Sequence, residues 1–171
     1  MGKPIQSVLL LASALYLFSL LGSTAHAKEE AFDVEGSVYC DRCRAQFQNK
    51  LSEPISGATV RLECREPVGN QLKFSADGVT DASGNYKLKV VGDHEDEVCQ
   101  VVLIQSPRQD CNEIPKEAFE QLSSRITLTD NSGIADPVRH ANPLGFMVKE
   151  AVPECLQLYK ELDMLPDDLV P

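Results

Sequence analysis

The sequence predicts an all-β protein: a small antiparallel sandwich or open barrel of six to seven strands, with a short C-terminal helix and three disulfides. Three observations lead there. Short stretches of alternating apolar and polar residues recur along the chain, turn-forming residues separate them, and six cysteines follow an export leader.

The first alternating stretch places Phe32, Val34, Gly36, Val38 and Cys40 on one face of a period-two pattern. Ala58, Val60, Leu62 and Cys64 repeat it, with Thr59, Arg61, Glu63 and Arg65 opposite them, so Cys64 is expected to point inward. Leu72, Phe74 and Ala76 continue the theme, and Tyr86, Leu88 and Val90 alternate with Lys87 and Lys89. Val98 to Gln105 is apolar on both faces, as a strand covered on two sides would be. Ile126 with Leu128, and Leu144 to Val148, add two more strands.

Turn chemistry falls between these runs at Pro54 to Gly57, Gly69-Asn70, Asp77-Gly78, Asp81 to Asn85, Gly92-Asp93 and Asn131-Ser132-Gly133. Helix is minor. Pro115 opens a possible turn or two over Lys116 to Leu122. Glu154 to Leu165 brings Leu158, Leu162 and Leu165 to one side, which suits a short helix docked through Cys155 and Leu158, and Pro166 to Pro171 stops it.

The leader sets the redox compartment. Lys3 precedes an almost unbroken apolar run from Val8 to Leu21, and Ala25-His26-Ala27 is a small-x-small cleavage site, so residues 1–27 read as a signal peptide and 28–171 as one mature domain. The apolar run is short for a membrane span, which needs about 20 residues. Export to the extracellular space or cell wall is the expectation, with no membrane attachment after cleavage. Losing Lys3 with the leader takes the formal net charge from -10 to -11, which disfavours nucleic acid and anionic lipid as partners.

All six cysteines, at 40, 43, 64, 99, 111 and 155, lie in the mature part. Six cysteines allow fifteen pairings, and spacing alone does not choose among them. Cys64 and Cys99 both fall within strands, a placement compatible with a bridge between neighbouring or facing strands. Cys40-Asp41-Arg42-Cys43 has the spacing of a redox couple, but its context is a strand running into a loop rather than the start of a helix. A zinc site would call for a second close pair of ligands. Two separate structural bridges fit this context better than either.

The decapeptide Glu35-Gly36-Ser37-Val38-Tyr39-Cys40-Asp41-Arg42-Cys43-Arg44 resembles the signature of the Ole e I-like family of plant pollen proteins, the group of the major olive-pollen allergen. The resemblance extends through Cys111-Asn112-Glu113-Ile114-Pro115, Asn142-Pro143-Leu144-Gly145-Phe146 and Pro153-Glu154-Cys155 with the Tyr159 stretch that follows. It implies a secreted, non-enzymatic β-barrel-like domain of pollen, often allergenic, acting in pollen hydration or pollen-tube growth. It also implies the pairing Cys40 with Cys111, Cys43 with Cys155, and Cys64 with Cys99. Arg42 departs from the small or uncharged residue usual at its place, and Asn131-Ser132-Gly133 fails as a glycosylation sequon.

Catalytic equipment is sparse. Only His94 and His140 remain after cleavage, neither in a nucleophile motif. His94, within Gly92 to Glu97, reads as part of a solvated turn. The acidic run there lacks the spacing of a calcium loop. His140 reads as exposed on a loop. Without tryptophan, a sugar-stacking platform is poor, and Tyr39, Tyr86 and Tyr159 are assigned to packing.

The expectation is therefore no catalytic residue, no cofactor and no metal. The partner would be an extracellular protein or wall component, with a basic partner suiting the charge, met by a monomer through the loops Asp77 to Asn85 and Gly92 to Glu97. The alternative is a small secreted hydrolase, or an inhibitor of one, acting at the cell wall; carboxylates or histidines converging in one pocket would favour it.

Overall fold

The computed structural model describes residues 31–114 and 123–165. The expected signal peptide, the turn or two expected over Lys116–Leu122 and the terminal Pro166–Pro171 fall outside the described residues. Ten strands form two sheets: β1 (Ala31–Asp41), β2 (Glu53–Pro54), β3 (Thr59–Arg65), β4 (Leu72–Val79), β5 (Asn85–Val91), β6 (Val98–Gln105), β7 (Cys111–Glu113), β8 (Ser123–Ile126), β9 (Val138–His140) and β10 (Leu144–Val148). A 3-10 turn (Asp130–Ser132) precedes β9, and one helix, α1 (Cys155–Glu161), closes the described chain.

One sheet is antiparallel in the order β4-β3-β6-β8. The other is organised around β1. Its N-terminal half pairs antiparallel with β5 and parallel with β9, and its C-terminal half pairs antiparallel with β2 and parallel with β10, which continues to β7. The sandwich, the short helix and the three disulfides are present as expected. The parallel partners and the extra strands β2, β7 and β9 are not in the sequence pattern. The three extra strands are two or three residues long, too short for alternation to register.

The core lies between the sheets. Phe32, Val34 and Val38 of β1, Leu88 and Val90 of β5 and Phe146 of β10 meet Val60, Leu62, Val101 and Leu103 from β3 and β6. Two local expectations change. β6 buries only Cys99, Val101 and Leu103, while Val98 and Ile104 are exposed, so it is covered on one face; its apolar outer residues are half-wetted β-formers. Asp77-Gly78 is not a turn but part of β4. A Cβ on Gly78 would lie 2.4 Å from Leu88 Cδ2, so glycine there lets the two sheets approach.

Glycines also seat two tyrosines. Gly36 lies opposite Tyr86 and Gly145 opposite Tyr39, and a Cβ on either glycine would come within 2.7 Å of the facing ring or its hydroxyl. The glycines of the signature and of Asn142–Phe146 thus make room for cross-strand aromatics.

Arg139 of β9 is a buried cation, 4% exposed. Its guanidinium donates to the carbonyls of Thr127 (3.2 Å), Thr129 (3.3 Å), Ile134 (3.4 Å) and Asp136, and it stacks 4.9 Å from the Phe32 ring centroid. Backbone carbonyls satisfy the desolvated group, and the segment from 127 to 136 is wrapped around it.

The bridges join Cys40 to Cys111, Cys43 to Cys155 and Cys64 to Cys99, spanning 71, 112 and 35 residues. Cys64–Cys99 links residues already paired across the β3–β6 ladder. Cys43–Cys155 ties the loop after β1 to the first residue of α1, where Cys43, Cys155 and Leu158 form a satellite cluster with Ala45, Leu51, Val152 and Tyr159. A seven-residue helix is too short to persist alone, so this docking is what keeps it. Leu158 is buried there while Leu162 is half exposed, because the helix ends at Glu161.

In the chain-entropy model the 112-residue closure is worth about 1 kcal/mol more than the 35-residue one. Denaturant unfolding of Cys43→Ser/Cys155→Ser is expected to show the larger loss of stability, and Cys64→Ser/Cys99→Ser the smaller. The reverse order would show that native-state packing, not chain closure, sets the contribution of each bridge.

Candidate functional site: a neutral groove built by the signature segment

At the end of β1 the chain enters a short, tightly held loop. Asp41 is 1% exposed, and its two carboxylate oxygens accept from the backbone N–H groups of Cys43 (3.1 Å) and Gln46 (2.7 Å). Within the loop Arg44 and Gln46 hold φ values of 56° and 60°, a left-handed conformation unfavourable for residues with a Cβ. The buried carboxylate, the Cys43–Cys155 bridge and a 2.6 Å hydrogen bond from the Tyr159 hydroxyl to the Cys43 carbonyl hold it.

The held loop forms one wall of a groove of about 640 Å³. Tyr39, Ala45, Gln46, Phe47 and Gln48 line it from the signature side, Asn142, Pro143 and Leu144 from the opposite side, and Ser123 from β8. Tyr39 and Leu144 are buried in its floor, while Gln46, Phe47, Gln48, Asn142 and Pro143 are exposed. Its polar groups are amides and hydroxyls. Tyr39 is the one ionisable side chain among the described lining residues, and burial, aided by the nearby Asp41 charge, pushes its pKa up to about 12. Such a surface offers hydrogen bonds and an aromatic face but no carboxylate pair or histidine for acid–base work.

On the other side of the signature lies a charged recess of about 540 Å³, where Glu53 accepts from Arg42 (3.1 Å) and Arg108 (2.6 Å), and Arg108 also meets Asp110 (2.6 Å). Two carboxylates hold the Arg108 guanidinium firmly protonated. Arg44 reaches Glu113 (2.6 Å) and the Val148 carbonyl (2.5 Å), fastening the loop to β7 and β10. Arg42 is thus one arm of an ion-pair network rather than a free charge.

The residues singled out from sequence fare unevenly. His140 is exposed, although it ends β9 rather than lying in a loop. His94 is not in a solvated turn: it is 9% exposed, packs 4.9 Å from the Phe74 ring centroid and shares a 2.9 Å hydrogen bond with Glu97 through Nδ1. Composition hid this, because His94 sits among acids that face water while its own ring turns inward.

The acidic loops chosen as contact surfaces spend several carboxylates on their own structure. Asp77 is paired with Arg61 (2.6 Å), Asp81 accepts from Ser83 and Asn85, Asp93 accepts from Glu95, and Glu95 from Asn131. The groove was missed, although both of its walls are segments that the sequence marks; only the pairing of β1 with β10, Val38 opposite Leu144, brings them together.

Fold and groove define a disulfide-stapled two-sheet β protein with a neutral surface cleft beside the held loop after β1. The family model described as "Pollen protein Ole e 1 like" matches residues 30–163, and the chain belongs to this family. It is 50% identical to the Olee1-like protein of Betula pendula over 165 residues, covering 96% of this chain and 98% of that one. It is 48% identical to the anther-specific protein LAT52 of Solanum lycopersicum over 158 residues, covering 92% and 96%. Among solved structures, the major plantain pollen allergen Pla l 1 superposes with a TM-score of 0.66 at 42% identity, covering 73% of this chain and 99% of that one. No helix among the described residues is long and apolar enough to cross a membrane.

Asp41→Asn keeps the shape but supplies one acceptor where two N–H groups need one each. A loss of about 1–3 kcal/mol is expected in denaturant unfolding, and wild-type stability would show that the carboxylate does not hold the loop.

Tyr39, Tyr86 and Tyr159 all have raised pKa values, with burial as the first cause. The unfolded chain releases these protons near pH 10 and the folded protein only at higher pH, so stability falls as pH rises above 10. Tyr39 alone costs up to about 2 kcal/mol by pH 12. Phenolate absorbance is expected to rise together with unfolding; a separate rise near pH 10 in folded protein would contradict the burial assignment.

Proposed function

We propose that this protein is exported, loses residues 1–27, and acts outside the cell as a non-catalytic binding module of pollen, in hydration or tube growth. The groove is its contact surface. Family membership supports the setting, and relatives carry the names of pollen allergens and an anther-specific protein. Three bridges with no free cysteine among the six accord with an oxidising compartment.

The observation that carries the binding reading is the groove itself. It costs the chain two left-handed residues and a buried carboxylate to hold exposed Gln46, Phe47 and Gln48 against Asn142 and Pro143. Strain held in place by surrounding structure, beside exposed aromatic and amide groups, is the arrangement of a recognition surface. The same lining argues against the hydrolase alternative, because its one titratable group stays protonated at neutral pH.

A neutral groove and an acidic surface differ in their response to salt. Mature protein immobilised against pistil and pollen extracellular extracts is expected to retain a partner across a salt series, and Phe47→Ala with Asn142→Ala is expected to weaken capture by at least about tenfold. Binding that vanishes with moderate salt and ignores both substitutions would transfer the contact to the acidic loops. Turnover of wall polymers by the purified protein would overturn the non-catalytic reading.

A further inference from the structure

Away from the groove, the Cys64–Cys99 bridge has unusual company. Cys64, Cys99, His94 and Glu97 each bring a potential ligand atom, and these atoms all lie within 4.8 Å of one another. We propose that this cluster is a redox-gated metal site: when a dithiol or phosphine opens Cys64–Cys99, the two sulfurs and His94 take a zinc-class divalent ion, with Glu97 holding the imidazole from its far side.

The donor set suits that class. Two thiolates and an imidazole, with water in the fourth position, are ligands of tetrahedral zinc, and calcium or magnesium would want oxygen alone. The imidazole is prepared for it. Glu97 fixes Nδ1 at 2.9 Å, while Nε2 is buried without a hydrogen-bond partner among the described residues, so one donor atom of a buried ring is unspent. A carboxylate holding a histidine in this way is the arrangement that orients histidine toward metals.

The bridge can open without scattering its ligands. Cys64 and Cys99 are direct partners in the β3–β6 ladder, flanked by Leu62 opposite Val101, Glu63 opposite Gln100, and Arg65 opposite Val98. That pairing persists when the sulfur–sulfur bond does not. His94 is held separately, by its backbone N–H to the Leu128 carbonyl (2.9 Å) and by Phe74. A cavity of about 280 Å³, lined by His94, Glu97 and Cys99 among others, gives access.

The chemistry balances in two steps. A phosphine attacks one sulfur, the sulfur–sulfur bond breaks, and water supplies the oxygen of the phosphine oxide and the protons of two thiols; a dithiol does the same by becoming a disulfide. The ion then displaces one proton from each thiol as two metal–sulfur bonds form. Neither other bridge has a comparable cluster among the described residues.

The test treats the intact mature protein with graded phosphine, maps the opened cysteines by alkylation and mass spectrometry, and follows strand circular dichroism while Co2+ is added. Expected is a dose at which Cys64 and Cys99 are alkylated and the sheet signal persists, whichever of the other bridges have opened. There Co2+ gives thiolate charge-transfer absorption at one ion per chain, which Zn2+ abolishes. His94→Gln, and His94→Ala as a second variant, weaken binding by about tenfold or more. Cys64→Ser/Cys99→Ser under the same reductant gives no such absorption. The proposal is overturned if Cys64–Cys99 opens only as the sheet signal is lost, if Co2+ gives no charge-transfer band, or if either the serine or the His94 variants bind as wild type does.

Discussion

β1 is the strand on which the rest depends. One edge bonds β5 and β2, the other β9 and β10, so elements from the middle and the end of the chain meet through one eleven-residue segment. Burying both edges satisfies its backbone groups almost along its whole length. It also concentrates consequence, since Cys40 within the strand and Cys43 just beyond it each fasten a distant part of the chain.

From that strand the groove follows by short physical steps. β1 ends at Asp41, whose carboxylate is desolvated and therefore must be satisfied; the backbone N–H groups of Cys43 and Gln46 satisfy it. The loop is bent so tightly that Arg44 and Gln46 take left-handed conformations. Arg44 then reaches the Val148 carbonyl and Glu113, and the neutral residues after it face Asn142 and Pro143 across the cleft. The charged groups thus serve the framework while the neutral ones are presented to solvent. For a chain of net charge -10, a contact surface almost without charge is a distinct choice of chemistry.

Much of the sandwich was legible because its longer strands bury one face. Ala58, Val60, Leu62 and Cys64 read as an inward row and are all buried, and Tyr86, Leu88 and Val90 alternate with exposed lysines as the pattern requires. What escaped was set by long-range pairing. β9 is three residues long, and its buried Arg139 would be placed at the surface by any composition rule; it is inside only because carbonyls from residues 127 to 136 surround it. Gly78 looked like a turn because its reason for being glycine, the Leu88 side chain, sits in the other sheet. The groove was invisible for the same kind of reason: its walls lie about a hundred residues apart and meet only through a parallel strand pair, which leaves no local trace in sequence.

The central claim is that a buried carboxylate at the end of β1 holds the signature loop in a single conformation. Hydrogen exchange at the backbone amides of Cys43 and Gln46 reads this directly, because Asp41 is their hydrogen-bond acceptor in an otherwise exposed loop. The account predicts protection at both amides comparable with that of the β1 ladder, well above that of Arg44 between them. Exchange of Cys43 and Gln46 at the rate of an open loop in the native protein would contradict it.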